Sequence, residues 1–464
     1  MGFTVVLVVL CILCALIQWS QRKDQGQAGM PGGNVSGEFK RQQAAYMVAY
    51  CCAVTADWLQ GPYVYALYEH YKFSKQEIGI LFIAGFGSSA VFGTFVGGFA
   101  DKYGRKLSCQ IYCVTYALSC VTKHSSSFWW LLLGRILGGI STSILFSCFE
   151  SWLVGNHNAF FFPADWLNQT FSIATVGNAI TAIASGWLGG FVRDTFDSLV
   201  APFDLAIVFL IASSITIAWK WQENKGDAGM GGMVLPSGKN DDRNKLKVAL
   251  ERMRRDPKIA VLGMIQSLFE GAMYIFVFMW TPKLEAFFKP LPHGRVFGCF
   301  MACMMLGSSS LKYLSSWQPP VRYLRELYII SGIMMAIPAL GLQEGYSTVS
   351  CFFVFEWCCG LYFPSIGIVK SKYVPEEVRA TIYNIFRIPL NVIVVAVLAN
   401  LGSISDNVVF AMCSVFLFLA AVLQHSFIRM VGDHEGKAAS LAAAENLTAE
   451  LSHLTHYEPG EGKE

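Results

Sequence analysis

The chain has 464 residues, of which 54% are hydrophobic and only 14% are charged. Soluble globular proteins carry about 25% charged residues, so this composition excludes a soluble protein and indicates one embedded in a lipid bilayer. The 35 Lys and Arg against 32 Asp and Glu leave a net charge of +3, which is too balanced to indicate a nucleic-acid-binding protein.

Apolar segments long enough to cross a bilayer recur along the whole chain. A membrane-spanning helix needs about 20 consecutive apolar residues. By this measure the sequence predicts thirteen spans, at Phe3 to Trp19, Ala44 to Leu67, Ile78 to Ala100, Leu107 to Val121, Phe128 to Leu153, Trp166 to Val192, Pro202 to Trp221, Ile259 to Trp280, Val296 to Leu311, Leu327 to Leu342, Thr348 to Val369, Ala380 to Leu401 and Val408 to Ile428. The predicted fold class is therefore an all-α membrane protein.

The spacing of these spans divides the chain into six segments. A polar, Gly-rich linker sets the first span apart, and a charged linker separates the other twelve into six plus six. We predict an N-terminal transmembrane anchor helix at 1–20, a cytoplasmic linker at 21–43, an N-terminal six-helix bundle at 44–221, a second cytoplasmic linker at 222–257, a C-terminal six-helix bundle at 258–429 and a cytoplasmic tail at 430–464.

The distribution of basic residues predicts the orientation, because short cytoplasmic loops are enriched in Lys and Arg. If the first span has its N-terminus outside, most of the 35 basic residues fall on the cytoplasmic side, and so does the C-terminus. The first span is expected to be a retained anchor, because Arg22 and Lys23 follow it and no basic residue precedes it; the alternative is a cleaved signal peptide. The plasma membrane is the expected location, with an endomembrane as the alternative, since no retrieval signal ends the chain.

The loop between the second and third core spans reads GGFADKYGRK. Its residues Gly97, Asp101, Gly104 and Arg105 match the pattern G-x-x-x-D-[RK]-x-G-R-[RK], which resembles the signature loop of the major facilitator superfamily. The resemblance implies a fold of two six-helix bundles, here with one extra N-terminal transmembrane helix. It also implies gating: the glycines permit a tight turn, and Asp101 can pair with a basic residue on a neighbouring element.

A second match lies in the fourth core span, where Arg135 begins the string RILGGISTS. This string resembles the R-x-x-x-G pattern of the same superfamily. A buried arginine is costly unless it is paired or faces water, so Arg135 is predicted to take part in substrate binding. The alternative is a structural arginine that bonds only to backbone carbonyl groups.

Four longer strings resemble the molybdate-anion transporter family within that superfamily, in its plant and algal branch. They are ADWLQGPYVYALYEHY (56–71), FESWLV (149–154), QSLFEGAMYIFVFMWTP (266–282) and GLYFPS (360–365). The resemblance extends from Tyr46 to about Arg429. It implies that the protein mediates cellular uptake of the molybdate oxyanion.

The eleventh core span contains the sharpest candidate for an anion site. Asn384, Arg387 and Asn391 stand at helical spacing and place a guanidinium group and two amides on one face. A tetrahedral dianion needs positive charge and several hydrogen-bond donors, which this set provides. We expect Arg387 to be the principal ligand; the alternative is that it pairs with a gating acid such as Glu150 or Asp101.

Further polar residues stand on the spans that should line a central cavity near the midplane, where the two halves of such transporters meet. They are Asp57 and Gln60 on the first core span, Gln266, Glu270 and Tyr274 on the seventh, and Glu356 on the tenth. Because an ionised carboxylate in lipid is costly, the three acids are expected to face the cavity, where they could carry a proton with the substrate. The alternative is that they form fixed ion pairs with Arg135 and Arg387 and never titrate.

Several other functions are not supported. The chain has no G-x-x-x-x-G-K-[ST] loop, so a gradient is expected to drive transport rather than ATP. Cys109 and Cys113 lack a His or Cys partner at zinc-ligand spacing, and no catalytic constellation is recognisable, so we expect neither a metal, a cofactor nor an enzyme. Transport of another solute, such as sulfate, a sugar or an organic anion, remains an alternative, as does a non-transporting membrane sensor.

Overall fold

The computed structural model describes residues 2–26, 36–225, 239–341 and 345–455. Within these ranges the regular structure is helical. The α-helices are α1 (Gly2–Gly26), α2 (Gly37–Gln60), α3 (Val64–His70), α4 (Lys75–Tyr103), α5 (Arg105–Val121), α6 (Phe128–Ala159), α7 (Ala164–Phe196), α8 (Ala201–Lys220), α9 (Lys239–Arg255), α10 (Pro257–Glu285), α11 (His293–Trp317), α12 (Pro320–Ala339), α13 (Gly345–Tyr373), α14 (Arg379–Ala399) and α15 (Asp406–Thr455).

The predicted all-α membrane architecture is confirmed. Among the described residues, ten helices are long and apolar enough to cross a membrane. The three predicted spans outside this group coincide with α2, α5 and α12, which are shorter or carry charges near one end. The boundaries of the six predicted segments stay a prediction, and parts of both linkers and of the tail lie outside the described residues.

One predicted span is interrupted. The first core span divides into α2 and α3, which are joined by a 3-10 turn at Gly61–Tyr63. Pro62 has no backbone N–H group and so cannot continue the hydrogen bonding of α2. The equivalent span of the second half, α10, runs unbroken past Glu270 and Gly271.

The helices pack as two groups, and the leading helix α1 packs against one of them. The N-half comprises α2 to α8, and the C-half comprises α10 to α15. Helix α1 packs against α11 of the C-half: Leu7 and Cys14 are buried there, and Gln18 Nε2 donates to Ser309 Oγ at 3.1 Å. The leading helix is therefore part of the C-half packing.

The helix ends form two faces. The vestibule face carries the connections at 71–74, 122–127, 197–200, 286–292 and 400–405. The linker face carries Gly104, the connections at 160–163, 318–319 and 374–378, and residues 221–225 after α8.

Glycines bring the two halves together near the vestibule face. A Cβ atom on Gly186 of α7 would lie 2.7 Å from both Gly294 O and Gly298 N of α11. A Cβ atom on Gly79 of α4 would lie 2.6 Å from the carbonyl oxygen of Leu398 on α14. Only glycine allows backbones to approach so closely, so these crossings define where the halves touch.

Ion pairs across the halves lie at the same face. Lys75 Nζ is 2.7 Å from Asp406 Oδ1, and Arg295 Nη2 is 3.0 Å from Asp194 Oδ2. At the other end of the helices, Glu150 and Arg387 are exposed. Charged groups in a spanning helix are too costly to face lipid, so this exposure indicates that the halves part toward the linker face.

The Gly79 crossing leads to a stability prediction. In Gly79→Ala the added methyl group meets backbone rather than a flexible side chain, so this conformation should lose about 1–3 kcal/mol. Thermal unfolding of the purified protein measures the loss. The control is Gly87→Ala on the same helix, where an added Cβ meets nothing within 4 Å. Equal unfolding midpoints for the two variants would contradict the proposed tight crossing.

Candidate functional site

A cluster of polar side chains lies inside the C-half. Helix α10 presents Gln266, Glu270 and Tyr274 one turn apart, and α13 adds two partners. Tyr362 OH donates to Glu270 Oε1 at 3.2 Å, and Lys370 Nζ donates to Gln266 Oε1 at 3.3 Å. We call Gln266, Glu270, Tyr274, Tyr362, Lys370 and Arg387 the C-half cluster.

The C-half cluster contains two cations and one carboxylate. Lys370 and Arg387 both interact electrostatically with Glu270. Lys370 Nζ also lies 4.5 Å from the centre of the Tyr383 ring. Within the described ranges, Arg387 makes no hydrogen bond and no ion pair. The cluster therefore has an excess positive charge and a guanidinium group whose donors are available, which suits a bound oxyanion.

Close packing of α14 on α10 fixes the position of Arg387. Gly263 of α10 leaves space for the Phe386 ring, which a Cβ atom there would overlap. Ser267 Oγ donates to the carbonyl oxygens of Gly263 at 2.7 Å and Phe386 at 2.8 Å. The residue preceding Arg387 is thus held against α10, so the guanidinium group is directed by a packed backbone.

The two asparagines of the predicted anion site lie on α14 near Arg387. Asn384 is exposed and Asn391 is partly buried. Their positions three residues before and four residues after Arg387 put all three on one side of the helix. The structure thus keeps the predicted set together on one element, beside the C-half cluster.

A smaller polar group lies in the N-half. Tyr116 OH of α5 donates to Asp57 Oδ1 of α2 in a short hydrogen bond. Arg135 Nε donates to the carbonyl oxygen of Leu81 at 3.2 Å, and its guanidinium carbon lies 4.5 Å from the centre of the Phe82 ring. Arg135 thus contacts a backbone carbonyl and an aromatic ring, and its part in substrate binding stays a prediction.

Within the described residues, neither Asp57 nor Glu270 forms a salt bridge with Arg135 or Arg387. Asp57 is bonded by Tyr116, and Glu270 by Tyr362. The alternative of fixed ion pairs with Arg135 and Arg387 therefore has no direct contact to support it in this conformation. Gln60 Nε2 donates to Ala56 O of its own helix at 3.1 Å and is buried.

Glu356 lies apart from both groups. It is buried on α13, and its Oε2 atom has no hydrogen-bond partner. Its electrostatic neighbours are Cys303 on α11 and Cys359 on its own helix. The structure places Glu356 in the packing between α11 and α13 rather than beside Arg387.

The predicted gating loop is ordered by contacts within the N-half. Arg105 Nη2 lies 2.9 Å from Asp101 Oδ1, so the basic partner of Asp101 comes from the start of the next helix. Gly104 has φ +131°, a value that favours glycine. Glu223, which sequence reasoning missed, accepts from the backbone N–H groups of Lys106 at 2.9 Å and Leu107 at 3.0 Å. The α8–α9 linker therefore begins by capping α5.

Two other residues predicted to take part in gating make no such contact. Gly97 has open space around it, and Glu150 is exposed at the same end of the bundle.

An aromatic layer separates the C-half cluster from the vestibule face. Phe278 of α10 contacts Tyr65 and Phe82 edge to face, with ring centres 5.1 and 5.0 Å apart. Tyr274 contacts Phe86 with ring centres 5.2 Å apart. Because Tyr65, Phe82 and Phe86 belong to the N-half, this layer closes the path between the cluster and the vestibule.

Sequence reasoning missed Lys370 as a site residue. Lys370 lies three residues before the end of α13 and just after the predicted span Thr348 to Val369, but its long side chain extends back to Gln266. Tyr116 was missed because its partner Asp57 lies on another helix. Lys370 could have been recognised because the largely apolar segment that contains Tyr362 continues up to it.

Comparisons with known proteins agree with the fold. A family described as sugar transporters with 12 transmembrane segments matches residues 2–358. The molybdate-anion transporter of Takifugu rubripes is 34% identical over 396 residues, covering 80% of this chain and 82% of that protein. The molybdate-anion transporter of Xenopus laevis is 34% identical over 418 residues, covering 85% and 87%.

Solved transporter structures share the architecture. A POT family peptide transporter, PepTSo, superposes with a TM-score of 0.65 at 11% identity, covering 84% of this chain and 98% of that one. A D-xylose-proton symporter superposes with a TM-score of 0.62 at 11% identity, covering 83% and 96%. At such low identity the likeness shows the fold alone.

The charge imbalance of the C-half cluster can be tested without a substrate. Glu270→Gln removes the carboxylate that offsets Lys370 and Arg387, so the protein should lose about 1–3 kcal/mol in low salt. Added sulfate should restore more stability to this variant than to the unmodified chain. Glu356→Gln, outside the cluster, should show no such gain. Unchanged stability of Glu270→Gln would contradict a charged Glu270. Thermal unfolding with and without sulfate measures both effects.

Proposed function

The chain belongs to the molybdate-anion transporter family of the major facilitator superfamily, and from this membership we propose that it carries molybdate across a membrane by alternating access. The membership rests on relatives that match most of their own length as well as most of this chain. The matching family model, in contrast, is described by sugar transport. A site with excess positive charge fits an anion better than a neutral sugar.

The observation that carries the proposal is the pair of cations around one carboxylate. Molybdate is a tetrahedral dianion, and Arg387 with Lys370 offers two positive charges and several donors. We propose that the ligands of the anion come from Arg387, Lys370, Asn384, Asn391, Gln266 and Tyr274. Arg135 and Gln60 bond to backbone carbonyls, so in this proposal they support helix packing instead.

The conformation fits one state of the transport cycle. The halves touch near the vestibule face and part toward the linker face, where Arg387 is exposed. We propose that the linker face is cytoplasmic, because most Lys and Arg of the loops lie there, and that the membrane is the plasma membrane. Both linkers and the tail of the predicted six segments are then cytoplasmic. The structure would correspond to the inward-open state, from which molybdate is released.

Protons are the proposed coupling ion. An ionised Glu270 competes with molybdate for Lys370 and Arg387, and protonation would remove that competition. Asp57, bonded by Tyr116, is a second candidate for the transported proton. Lower pH on the outer side should then increase uptake, and Glu270→Gln should reduce this dependence. Initial uptake rates at several outer pH values measure it, and a rate that does not vary with pH would contradict proton coupling.

The transport proposal is tested by uptake of molybdate into cells that express the chain. Arg387→Ala removes charge-assisted hydrogen bonds worth about 1.5–3 kcal/mol, so KM should rise about tenfold or more. Arg322→Ala, which removes an exposed arginine of α12, is the matched control and should transport normally.

The outcomes separate substrate from site. Good expression without any uptake would contradict molybdate as the substrate. Normal uptake by Arg387→Ala would contradict the site but not the substrate. Suppression by excess sulfate would indicate a transporter with broader oxyanion specificity.

A further inference from the structure

A second group of acids lies at the vestibule face, far from the C-half cluster along the helices. Glu69 comes from α3 of the N-half, and Glu285 is the last residue of α10 in the C-half. Their carboxyl groups lie within hydrogen-bonding reach of one another. An ionised carboxylate only accepts hydrogen bonds, so a hydrogen bond between the two needs one shared proton. The contact therefore brings two acids together across the boundary between the halves.

Other charged groups surround this pair. Both acids line a cavity of about 620 Å³ that opens at the vestibule face. The titratable and charged side chains that face them there belong to His70, Lys72, Lys75, Arg193, Lys289, His293 and Asp406. His293 Nε2 lies 2.7 Å from Glu285 Oε1. Lys75 is already paired with Asp406, and Arg193 with Asp194 at 3.0 Å. Lys75 and Arg193 thus have partners of their own.

We propose that Glu69 and Glu285 form a proton-binding site that holds the vestibule face closed. When they share one proton, a hydrogen bond joins α3 to α10. When both are ionised, two like charges repel each other across the same contact, and the halves are pushed apart there. The site takes its protons from the vestibule, because the aromatic layer around Phe278 separates it from the C-half cluster. This inference goes beyond molybdate transport and does not depend on it.

The direction of the pH effect follows from the shared hydrogen bond. The contact with Glu285, together with partial burial, raises the pKa of Glu69 to about 7. In an open state the two carboxyl groups are apart, and the pKa of Glu69 returns toward its usual value near 4.3. Between these values the closed state binds more protons than the open state. Lowering the pH through 7 therefore favours closure, and raising it above 7 removes this contribution.

The Lys75–Asp406 pair and the glycine crossings limit the size of the effect. They hold the halves together independently of the Glu69–Glu285 contact. Glu69 is also exposed, so solvent screens its interactions. Ionisation of the two acids should thus weaken closure without abolishing it.

Distance measurements on the full chain in lipid nanodiscs, without molybdate, test this site. Fluorophores are attached through unnatural amino acids at Ser126 and Ser403, which are exposed on the vestibule-face loops of the two halves. This route avoids the 14 cysteines of the chain. Single-molecule energy transfer then reports the ratio of closed to open molecules. This ratio should rise about threefold or more when the pH is lowered from 8 to 6. One proton can change the ratio at most about tenfold for each pH unit.

Variants identify the responsible group. Glu69→Gln keeps a neutral hydrogen-bonding side chain, so it should remain closed and lose the pH dependence; Glu285→Gln should behave in the same way. His293→Gln is the matched control, because this histidine contacts Glu285 and is the other ionisable group in direct contact with it that the variants can replace. It should keep the dependence. Loss of the dependence in His293→Gln with retention in Glu69→Gln would overturn the proposal, and so would a pH-independent ratio in the unmodified chain.

The result is independent of substrate identity. Because no molybdate is present, a failed uptake assay leaves the outcome of the distance measurement unaffected. Conversely, a chain that transports molybdate but shows no pH-dependent closure would overturn the vestibule site and leave the transport proposal in place.

Discussion

The excess positive charge of the C-half cluster is the feature on which the functional account depends. Lys370 and Arg387 stand near a single carboxylate inside a membrane bundle, where an unpaired charge is costly. A protein tolerates such a cost when the charge faces water or can bind a counter-ion. Here Arg387 is exposed toward the linker face, and an incoming dianion would neutralise both cations. The same unpaired positive charge thus explains both the affinity for an anion and the need for access to water.

The architecture explains how that site can be reached from alternate sides. Backbone contacts at Gly79, Gly186 and Gly294 let the halves pack tightly near the vestibule face. The aromatic layer below them fills the remaining space between the halves with apolar rings. These contacts are non-covalent. The two packed halves can therefore break them and form other contacts at the opposite face. Closure at one face and opening at the other are parts of one rigid-body rearrangement.

Hydropathy alone indicated where the spanning segments lie, because spanning a bilayer demands long apolar segments. The loop at Gly97 to Arg105 and the four family strings pointed to the superfamily and the family. Arg387 was identifiable because an arginine in an apolar span is rare. What the sequence did not indicate were contacts between residues distant in the chain: Lys370 with Gln266, Glu69 with Glu285, and α1 with α11. The break at Gly61 had a signal in Pro62, but an unbroken hydropathy profile concealed it.

The most direct test of the account is the position of bound molybdate. Diffraction data collected at a molybdenum absorption edge from the full chain with molybdate would locate the metal atom without reference to the protein density. The account predicts one peak between the ends of Lys370 and Arg387, within hydrogen-bonding reach of both through the oxyanion oxygens. A peak elsewhere, such as beside Arg135, in a protein that transports molybdate would contradict it.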